Sequence, residues 1–366
     1  MTGGVALVFG LLAVVGPVVA SPARVPGGSN PLPSYPNVFY ARLRRLGMDD
    51  TDGSPDIFVA GECLVDLLPD APGRLATVEQ FHRRAGGAPA NVAVRLADLG
   101  PAPWFWTRLG DDAFGEFLTE TLVSAGLPDR FVRTDPDAKT PVAFVAHDDN
   151  ADREFSFYRA GTADTRFASG TVPGDALDAV EWVVFGGVCL STEPARTAMF
   201  DLVDRARDRN CTVAFDPNAR PELWDGGFPA AFDAACAAAD VVKATPADLA
   251  AAGIEGPPDA LLDAVLDRGP HTAFLTLGDE GAVARATDAA PWGPADASHH
   301  GYDIDVVDTT GAGDAFTAGA IRGLADRVEL AAALSLGNAT AAATTTESGA
   351  IDADVDRSVV DRLRGE

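Results

Sequence analysis

The chain has 366 residues, 47% of them hydrophobic, which is enough for a large buried core. It carries 54 acidic and 28 basic residues, a net charge of −26, and so acidic a surface repels the phosphate backbones of nucleic acids. Its four cysteines form no C-x-x-C pair and its five histidines show no zinc-ligand spacing, a pattern typical of a reduced, cytoplasmic protein without structural zinc.

The first 47 residues differ in composition from the rest of the chain. They contain no Asp, Glu or Lys and four arginines, so they contribute +4 to the total of −26 and leave the remainder at −30. We interpret residues 1–47 as a non-native or disordered extension, with the true start at Met48. A signal peptide or membrane anchor at the apolar run 5–20 is the alternative, although no positive charge precedes that run and it is short for a membrane span.

From Ile57 onward, short apolar strands alternate with amphipathic helices, and this alternation predicts a parallel α/β domain over 56–364. The predicted strands are 57–60, 104–108, 182–185, 212–215, 241–243 and 273–277, with a further strand-like stretch at 303–307. The predicted helices are 90–99, 114–125, 195–208, 229–239, 258–266, 312–324 and 330–345.

Two stretches break this rhythm, 64–84 and 142–158. The second alternates hydrophobic and polar residues, which favours half-exposed antiparallel strands. We expect the two stretches to form a small β lid beside the main sheet. Lid strands with an exposed apolar face often pair between subunits, so the pattern favours the hypothesis of a homodimer through the lid.

A first motif, GGAPAN, begins at Gly86 and leads into a helix. The pair Gly86 and Gly87 lets a polyol lie against the main chain, and the amide of Asn91 offers a donor and an acceptor to hydroxyl groups. Asp66 is a carboxylate within the apolar run 64–68, where a polar residue needs a partner such as a sugar hydroxyl. An ordinary turn before a helix, and a lid residue that faces solvent, are the alternative interpretations.

The strongest motif is DTTGAGDAF, which begins at Asp308 and opens a helix. Its small residues at 311–313 let the backbone approach an anion closely, and their N–H groups point away from the helix N-terminus. Such a turn can hold a transferring phosphoryl group, and Asp314 in the same turn can take a proton from an acceptor hydroxyl. An aspartate that only caps a glycine-rich turn is the alternative. No Gly-Lys pair occurs, which excludes a P-loop.

Together, these motifs resemble the two signatures of the ribokinase-like (PfkB-type) carbohydrate kinase family. The first signature runs from Gly86 to Gly110 and the second from Asp308 to Gly319, in the family's order and over 200 residues apart. The segments that resemble the fructokinase branch are GECLVDLLP, GGAPANVAV, FYRAGTAD, FDPNARPELW and VVKATPADL. The resemblance implies a three-layer α/β sandwich, with a mostly parallel central sheet and a small β lid, and ATP-dependent phosphorylation of a small sugar.

The resemblance also implies roles for individual residues. The implied catalytic base is Asp314. The implied anion hole is the run Gly311, Ala312 and Gly313. The implied sugar-binding residues are Asp66, Gly86, Gly87, Asn91, Arg159 and Arg220. The implied residues around ATP are Thr276, Gly278, Gly281 and Asn338. The implied metal positions are Thr245 and Asp248 for Mg²⁺ through waters, and Asp308 and Thr310 for a monovalent cation such as K⁺.

The expected reaction is in-line transfer of the ATP γ-phosphate to a hydroxyl of D-fructose. Two alternatives stay open. One is a 2-keto-3-deoxygluconate kinase, in which Arg159 or Arg220 would bind the carboxylate of the acid, and the other is a catalytically silent sensor of sugar or nucleotide. The family's N-x-x-E element here reads T-x-x-D, and Asp248 is one methylene shorter than Glu, so its reach toward the metal is reduced.

The Asp-rich, Lys-poor composition is typical of proteins from high-salt cytoplasms and predicts a halophilic protein. Lowering the salt from 1 M to 0.01 M lengthens the screening distance from ~3 Å to ~30 Å, which strengthens repulsion among the acidic residues. We therefore expect circular dichroism to show loss of helix in 10 mM salt and recovery in molar KCl. Full helicity and full activity in 10 mM salt would contradict this prediction.

Overall fold

The computed structural model describes residues 55–70, 73–147 and 153–365 of the chain. Our interpretation of residues 1–47 lies outside this part. Within it, no helix combines the length and the apolar character that crossing a membrane requires.

The described residues form thirteen strands in two sheets. In chain order the strands are β1 (Ile57–Ala60), β2 (Leu64–Pro69), β3 (Phe81–Gly86), β4 (Trp104–Gly110), β5 (Val132–Asp135), β6 (Val142–His147), β7 (Arg153–Tyr158), β8 (Trp182–Gly186), β9 (Thr212–Asp216), β10 (Val241–Ala244), β11 (Thr272–Thr276), β12 (Ala282–Ala286) and β13 (Ala295–His299).

The described residues also form ten α-helices, which connect and cover these strands. They are α1 (Ala88–Leu99), α2 (Ala113–Ser124), α3 (Gly174–Asp178), α4 (Ala195–Arg207), α5 (Phe228–Ala238), α6 (Pro246–Ala251), α7 (Pro258–Leu266), α8 (Ala312–Ala325), α9 (Leu330–Thr345) and α10 (Arg357–Arg364).

The larger sheet has the order β13-β12-β11-β10-β9-β8-β1-β4-β5. Its strands are parallel from β5 to β11, and β12 and β13 extend one edge as antiparallel strands. Successive side chains of a strand point to opposite faces, so Phe58 and Val59 of β1 enter two different hydrophobic clusters, one on each side of the sheet. Helices cover both clusters, which makes three layers and confirms the predicted fold class.

The smaller sheet, the lid, has the order β3-β2-β6-β7. The pairs β2–β3 and β6–β7 are antiparallel as expected, but β2 and β6 are parallel, so the expectation is wrong for this pair. A parallel pair requires a long connection. Between β2 and β6 the chain forms β3 of the lid and then β4 and β5 of the main sheet. Tyr158 at the end of β7 is 65% exposed. The homodimer through the lid stays a prediction.

Every predicted helix and six of the seven predicted strands match an observed element to within two residues. The stretch 303–307 is not a strand: the N–H groups of Val307 and Asp308 both donate to the carbonyl of Thr345 in α9 instead of to a neighbouring strand. Val307 is also 65% exposed. The elements outside the predicted ranges are α3, α6, α10, β5, β12 and β13.

Candidate active site

The turn before α8 is built around Gly311, which has a left-handed backbone with φ of 76°. A Cβ atom on Gly311 would lie 2.4 Å from the Cβ of Ala350, so no larger residue fits. Asp308 fixes the start of the turn, because one carboxylate oxygen accepts from the N–H and hydroxyl of Thr310, at 2.9 and 2.6 Å, and the other from the N–H of Gly349 at 3.0 Å. We call residues 311–313 the anion turn.

Asp314 lies in the first turn of α8, half-buried, next to the first turn of α1. The amide Nδ2 of Asn91 donates to its carboxylate at 2.7 Å. Burial and the charge of Asp216 raise the pKa of Asp314 to about 6, against the hydrogen bond from Asn91 and the positive charges of Lys243 and Arg220. Such a carboxylate is ionised at neutral pH and is basic enough to accept a proton.

The amide of Asn91 is only half used. Its Nδ2 serves Asp314, whereas its Oδ1 is buried and has no hydrogen-bond partner in the described part of the chain. A buried acceptor without a partner is costly. A ligand with several hydroxyl groups could donate one hydrogen bond to this oxygen and a second to Asp314, so the pair is suited to a polyol.

Lys243 is a site residue that the sequence analysis missed. It is the third of the four residues of β10, all of which are buried. Its Nζ lies 3.2 Å from a carboxylate oxygen of Asp216, which also accepts from the Thr317 hydroxyl at 2.8 Å. The same Nζ is 3.2 Å from the position of a Cβ on Gly313, and so lies against the anion turn. The feature of the sequence that could have pointed to Lys243 is the rarity of lysine, since only one other lysine occurs in 366 residues.

Lys243 remains charged in this site. Burial lowers the pKa of Lys243, but the carboxylates of Asp216, Asp248 and Asp314 outweigh burial and raise it overall. A fixed ammonium beside main-chain N–H groups is the arrangement that stabilises negative charge on a phosphoryl group.

These groups line one cleft of about 360 Å³. Its walls are Asn218, Ala219, Arg220, Pro221, Lys243, Thr245, Ala247, Asp248, Thr309, Gly311, Gly313 and Asp314. The structure thus brings together the predicted base, two residues of the anion turn, the T-x-x-D element and Arg220.

Asp248 is committed to the protein on both carboxylate oxygens. Oδ2 accepts from the N–H and the hydroxyl of Thr245, at 2.8 and 2.7 Å, and Oδ1 accepts from the N–H of Ala219 at 2.7 Å. Thr245 and Asp248 therefore form the capping box of α6. A carboxylate so occupied fits a metal ion held through waters better than direct coordination. Within the described ranges, no cluster of three or more His, Cys, Asp or Glu side chains could bind a metal.

Asp66 and the glycine pair meet in the lid. A Cβ on Gly86 would lie 2.1 Å from the carboxylate of Asp66, and one on Gly87, where φ is 104°, would lie 2.6 Å from the carbonyl of Glu62. Asp66 lines a second cleft of about 400 Å³ between the lid and residues 306–310. Thr309 lines both clefts, so the two adjoin at the loop that carries the anion turn.

Arg159 follows the lid strand β7 and is buried, with 6% of its surface exposed. Its Nε donates to Asp164 at 2.5 Å and its Nη1 to Ser191 at 3.3 Å, whereas the buried Nη2 has no partner among the described residues. Glu62 is buried nearby, and burial raises the pKa of its carboxyl to about 7 against the opposing charge of Arg159. Glu62 and Asp164 both lie in segments that resemble the fructokinase branch, but the resemblance implied no role for either residue.

The four residues implied for ATP lie outside the two clefts. Thr276 ends β11, and Gly278 and Gly281 follow in a turn where φ is 67° and 84°. A Cβ on Gly281 would lie 2.0 Å from the carbonyl of His299, so the turn requires glycine there. Asn338 is buried in α9 and donates to the carbonyl of Leu334 at 2.9 Å. None of the four lines the two clefts, and their contact with a nucleotide stays a prediction.

The family model of pfkB family carbohydrate kinases matches residues 54–357. The chain belongs to this family. Within it, the chain is 35% identical to the fructokinase of Klebsiella pneumoniae over 310 residues, which are 81% of this chain and 95% of that protein.

Solved structures of pfkB kinases share this fold. A fructokinase from Xylella fastidiosa with bound ATP superposes with a TM-score of 0.75 at 27% identity, covering 86% of this chain and 99% of its own. A double mutant of the Vibrio cholerae O395 fructokinase, with fructose, ADP and potassium ion bound, has a TM-score of 0.72 at 26% identity, covering 85% and 98%. The pfkB kinase described here is an ATP-dependent sugar kinase with a ribokinase-like fold.

The pKa of Asp314 gives the site a testable pH dependence. A base works only when it is ionised, so we expect kcat/KM to rise as the pH increases through about 6. Asn91→Leu removes a hydrogen bond that lowers this pKa, and should therefore shift the midpoint of the acidic limb to higher pH.

Asn338→Leu is the matched control, because it also removes a buried amide but makes no contact with Asp314. Its midpoint should stay at the wild-type pH. An unchanged midpoint in Asn91→Leu, measured from pH–rate profiles of kcat/KM, would contradict the assignment of this limb to Asp314.

Proposed function

We propose that this kinase transfers the γ-phosphate of ATP to a hydroxyl group of D-fructose, with Asp314 as the general base. The observation that supports the proposal is the contact between Asn91 and Asp314, in which a carboxylate and an unused amide acceptor lie together beside the anion turn. A sensor without activity would have no use for a carboxylate in this position.

In the proposed reaction the acceptor hydroxyl attacks the γ-phosphorus as its proton passes to Asp314. The bond from the γ-phosphorus to the bridging oxygen breaks, and its electron pair leaves with ADP. The N–H groups of residues 311–313 and the ammonium of Lys243 would stabilise the charge on the phosphoryl oxygens. The oxygen of Asn91 would accept a hydrogen bond from a second hydroxyl of the same sugar, and so help to orient the attacking hydroxyl toward the phosphorus.

A divalent ion, which we propose to be Mg²⁺, supplies charge neutralisation on the phosphates when it is bound. Thr245 and Asp248 would hold it through waters, because their polar atoms already form the capping box of α6. Asp308 and Thr310 are the proposed neighbours of a monovalent cation. The potassium ion in the Vibrio cholerae fructokinase supports that proposal.

The charges around Arg159 favour a neutral sugar over a sugar acid. Asp164 is fully buried and already compensates the guanidinium, and Glu62 adds a further carboxyl group nearby. A substrate carboxylate here would meet a site that is neutral or negative, which disfavours its binding. Fructose itself is proposed from the fructokinases among the relatives.

One observation keeps 2-keto-3-deoxygluconate as the second candidate. Arg220 lines the same cleft as Asp314, and its positive charge is close enough to lower the pKa of that carboxyl group. An acid bound from this side would have a cation within the cleft.

A substrate panel with one variant separates these candidates. With fructose, glucose, ribose, adenosine and 2-keto-3-deoxygluconate as acceptors, we expect the highest kcat/KM for fructose. In Arg220→Met, we expect the ratio of kcat/KM for fructose to that for the keto acid to stay within about threefold of the wild-type ratio. A kcat/KM for the keto acid ten times that for fructose, about 1.4 kcal/mol in transition-state binding, would overturn the proposal.

A further inference from the structure

A buried arginine follows Asn91 by one turn on the same face of α1. The side chain of this residue, Arg95, is 1% exposed, and its Nη2 donates to three main-chain carbonyl oxygens of the 350–353 segment, each at 2.9 Å. Its Nη1 lies 2.8 Å from a carboxylate oxygen of Asp98. Burying a guanidinium is costly unless its donors find acceptors, so these contacts bind α1 to the 350–353 segment.

The segment has no regular structure of its own to satisfy those carbonyls. It lies between α9 and α10 and belongs to neither a helix nor a strand. The two hydrogens of Nη2 are shared among the three carbonyl oxygens of the segment. Without Arg95 these oxygens would need other donors, such as water. The hydrogen bonds from Arg95 therefore hold the main chain of this loop in place relative to α1.

The same loop is the wall against which the anion turn is packed. The N–H of Gly349 donates to Asp308, which in turn accepts from Thr310 at the start of the turn. Ala350 occupies the space that a Cβ on Gly311 would need. A shift of residues 349–350 therefore moves the support of Gly311 and of the N–H groups that follow it.

We propose that Arg95 is a positioning residue for phosphoryl transfer, which holds the 349–353 loop against Gly311 and so keeps the anion turn in its working geometry. Arg95 does not touch the substrate; it acts through the loop. The inference rests on the proposed transfer at the anion turn. Helix α1 then supports both halves of the reaction, the base through Asn91 and the turn through Arg95.

The test compares Arg95→Met with Arg322→Met. Arg322 is also a buried guanidinium, 3% exposed, but it pairs with Asp56 and Asp326 at the far end of α8. Both variants lose a buried cation, and thermal melting measures what each loses in stability. Steady-state kinetics are run well below both melting temperatures, with the acceptor on which the wild type is most active.

We expect Arg95→Met to lower kcat by about tenfold to a hundredfold, the usual effect of an error of about 1 Å in the placement of reacting groups. The KM for the sugar should change less than about threefold, since the sugar contacts remain. Arg322→Met should keep kcat within about twofold of wild type. Arg95→Lys, which retains donors for the carbonyls, should have a kcat between those of wild type and Arg95→Met.

Ala350→Gly provides a second variant if Arg95→Met does not fold. It removes the methyl group that packs against Gly311 without removing a buried charge, and should lower kcat by about threefold or more at a nearly unchanged melting temperature. Wild-type kcat in Ala350→Gly or in Arg95→Met, or equal losses of kcat in Arg95→Met and Arg322→Met, would overturn the proposal. A wild type that phosphorylates no sugar would overturn the proposed function as well, so the two failures are distinguishable.

Discussion

The contact between Asn91 and Asp314 is the constraint on which the rest of the site depends. The two residues are 223 positions apart in the chain and meet because α1 and α8 pack side by side on one face of the main sheet. Each lies in the first turn of its helix, so both helix N-termini point at the same place. Anions are favoured at such termini, which supports the proposed transfer at this position.

Buried charge is the second constraint. Asp216 and Asp314 both have a raised pKa because burial disfavours their ionised forms, and Lys243 opposes that effect in each. Removing one partner of such a buried pair costs about 3–5 kcal/mol, because the other charge is left uncompensated. Lys243 therefore contributes both to the stability of the fold and to the charge of the site, in a chain that contains only one other lysine.

Much of this arrangement could be predicted from the sequence because the signals are local. The glycine of the anion turn is required by a left-handed φ and by Ala350, and the helices show their apolar periodicity directly. Contacts between elements could not be predicted in this way. The pair of Lys243 and Asp216 depends on β9 and β10 being neighbours, and the occupation of Asp248 depends on where the loop at Ala219 passes. The stretch 303–307 has the composition of a strand, but no strand within the described ranges pairs with it.

We propose that Asp314 accepts the proton of the sugar hydroxyl, and the variant Asp314→Asn removes this base while the rest of the site stays in place. The amide is nearly isosteric, so the fold and the binding of sugar, measured by calorimetry, should be retained. We expect kcat to fall by at least about 10²–10⁴, the usual contribution of a positioned base. A variant that binds sugar like the wild type and retains more than about a tenth of the wild-type kcat would contradict the role of Asp314 as the base.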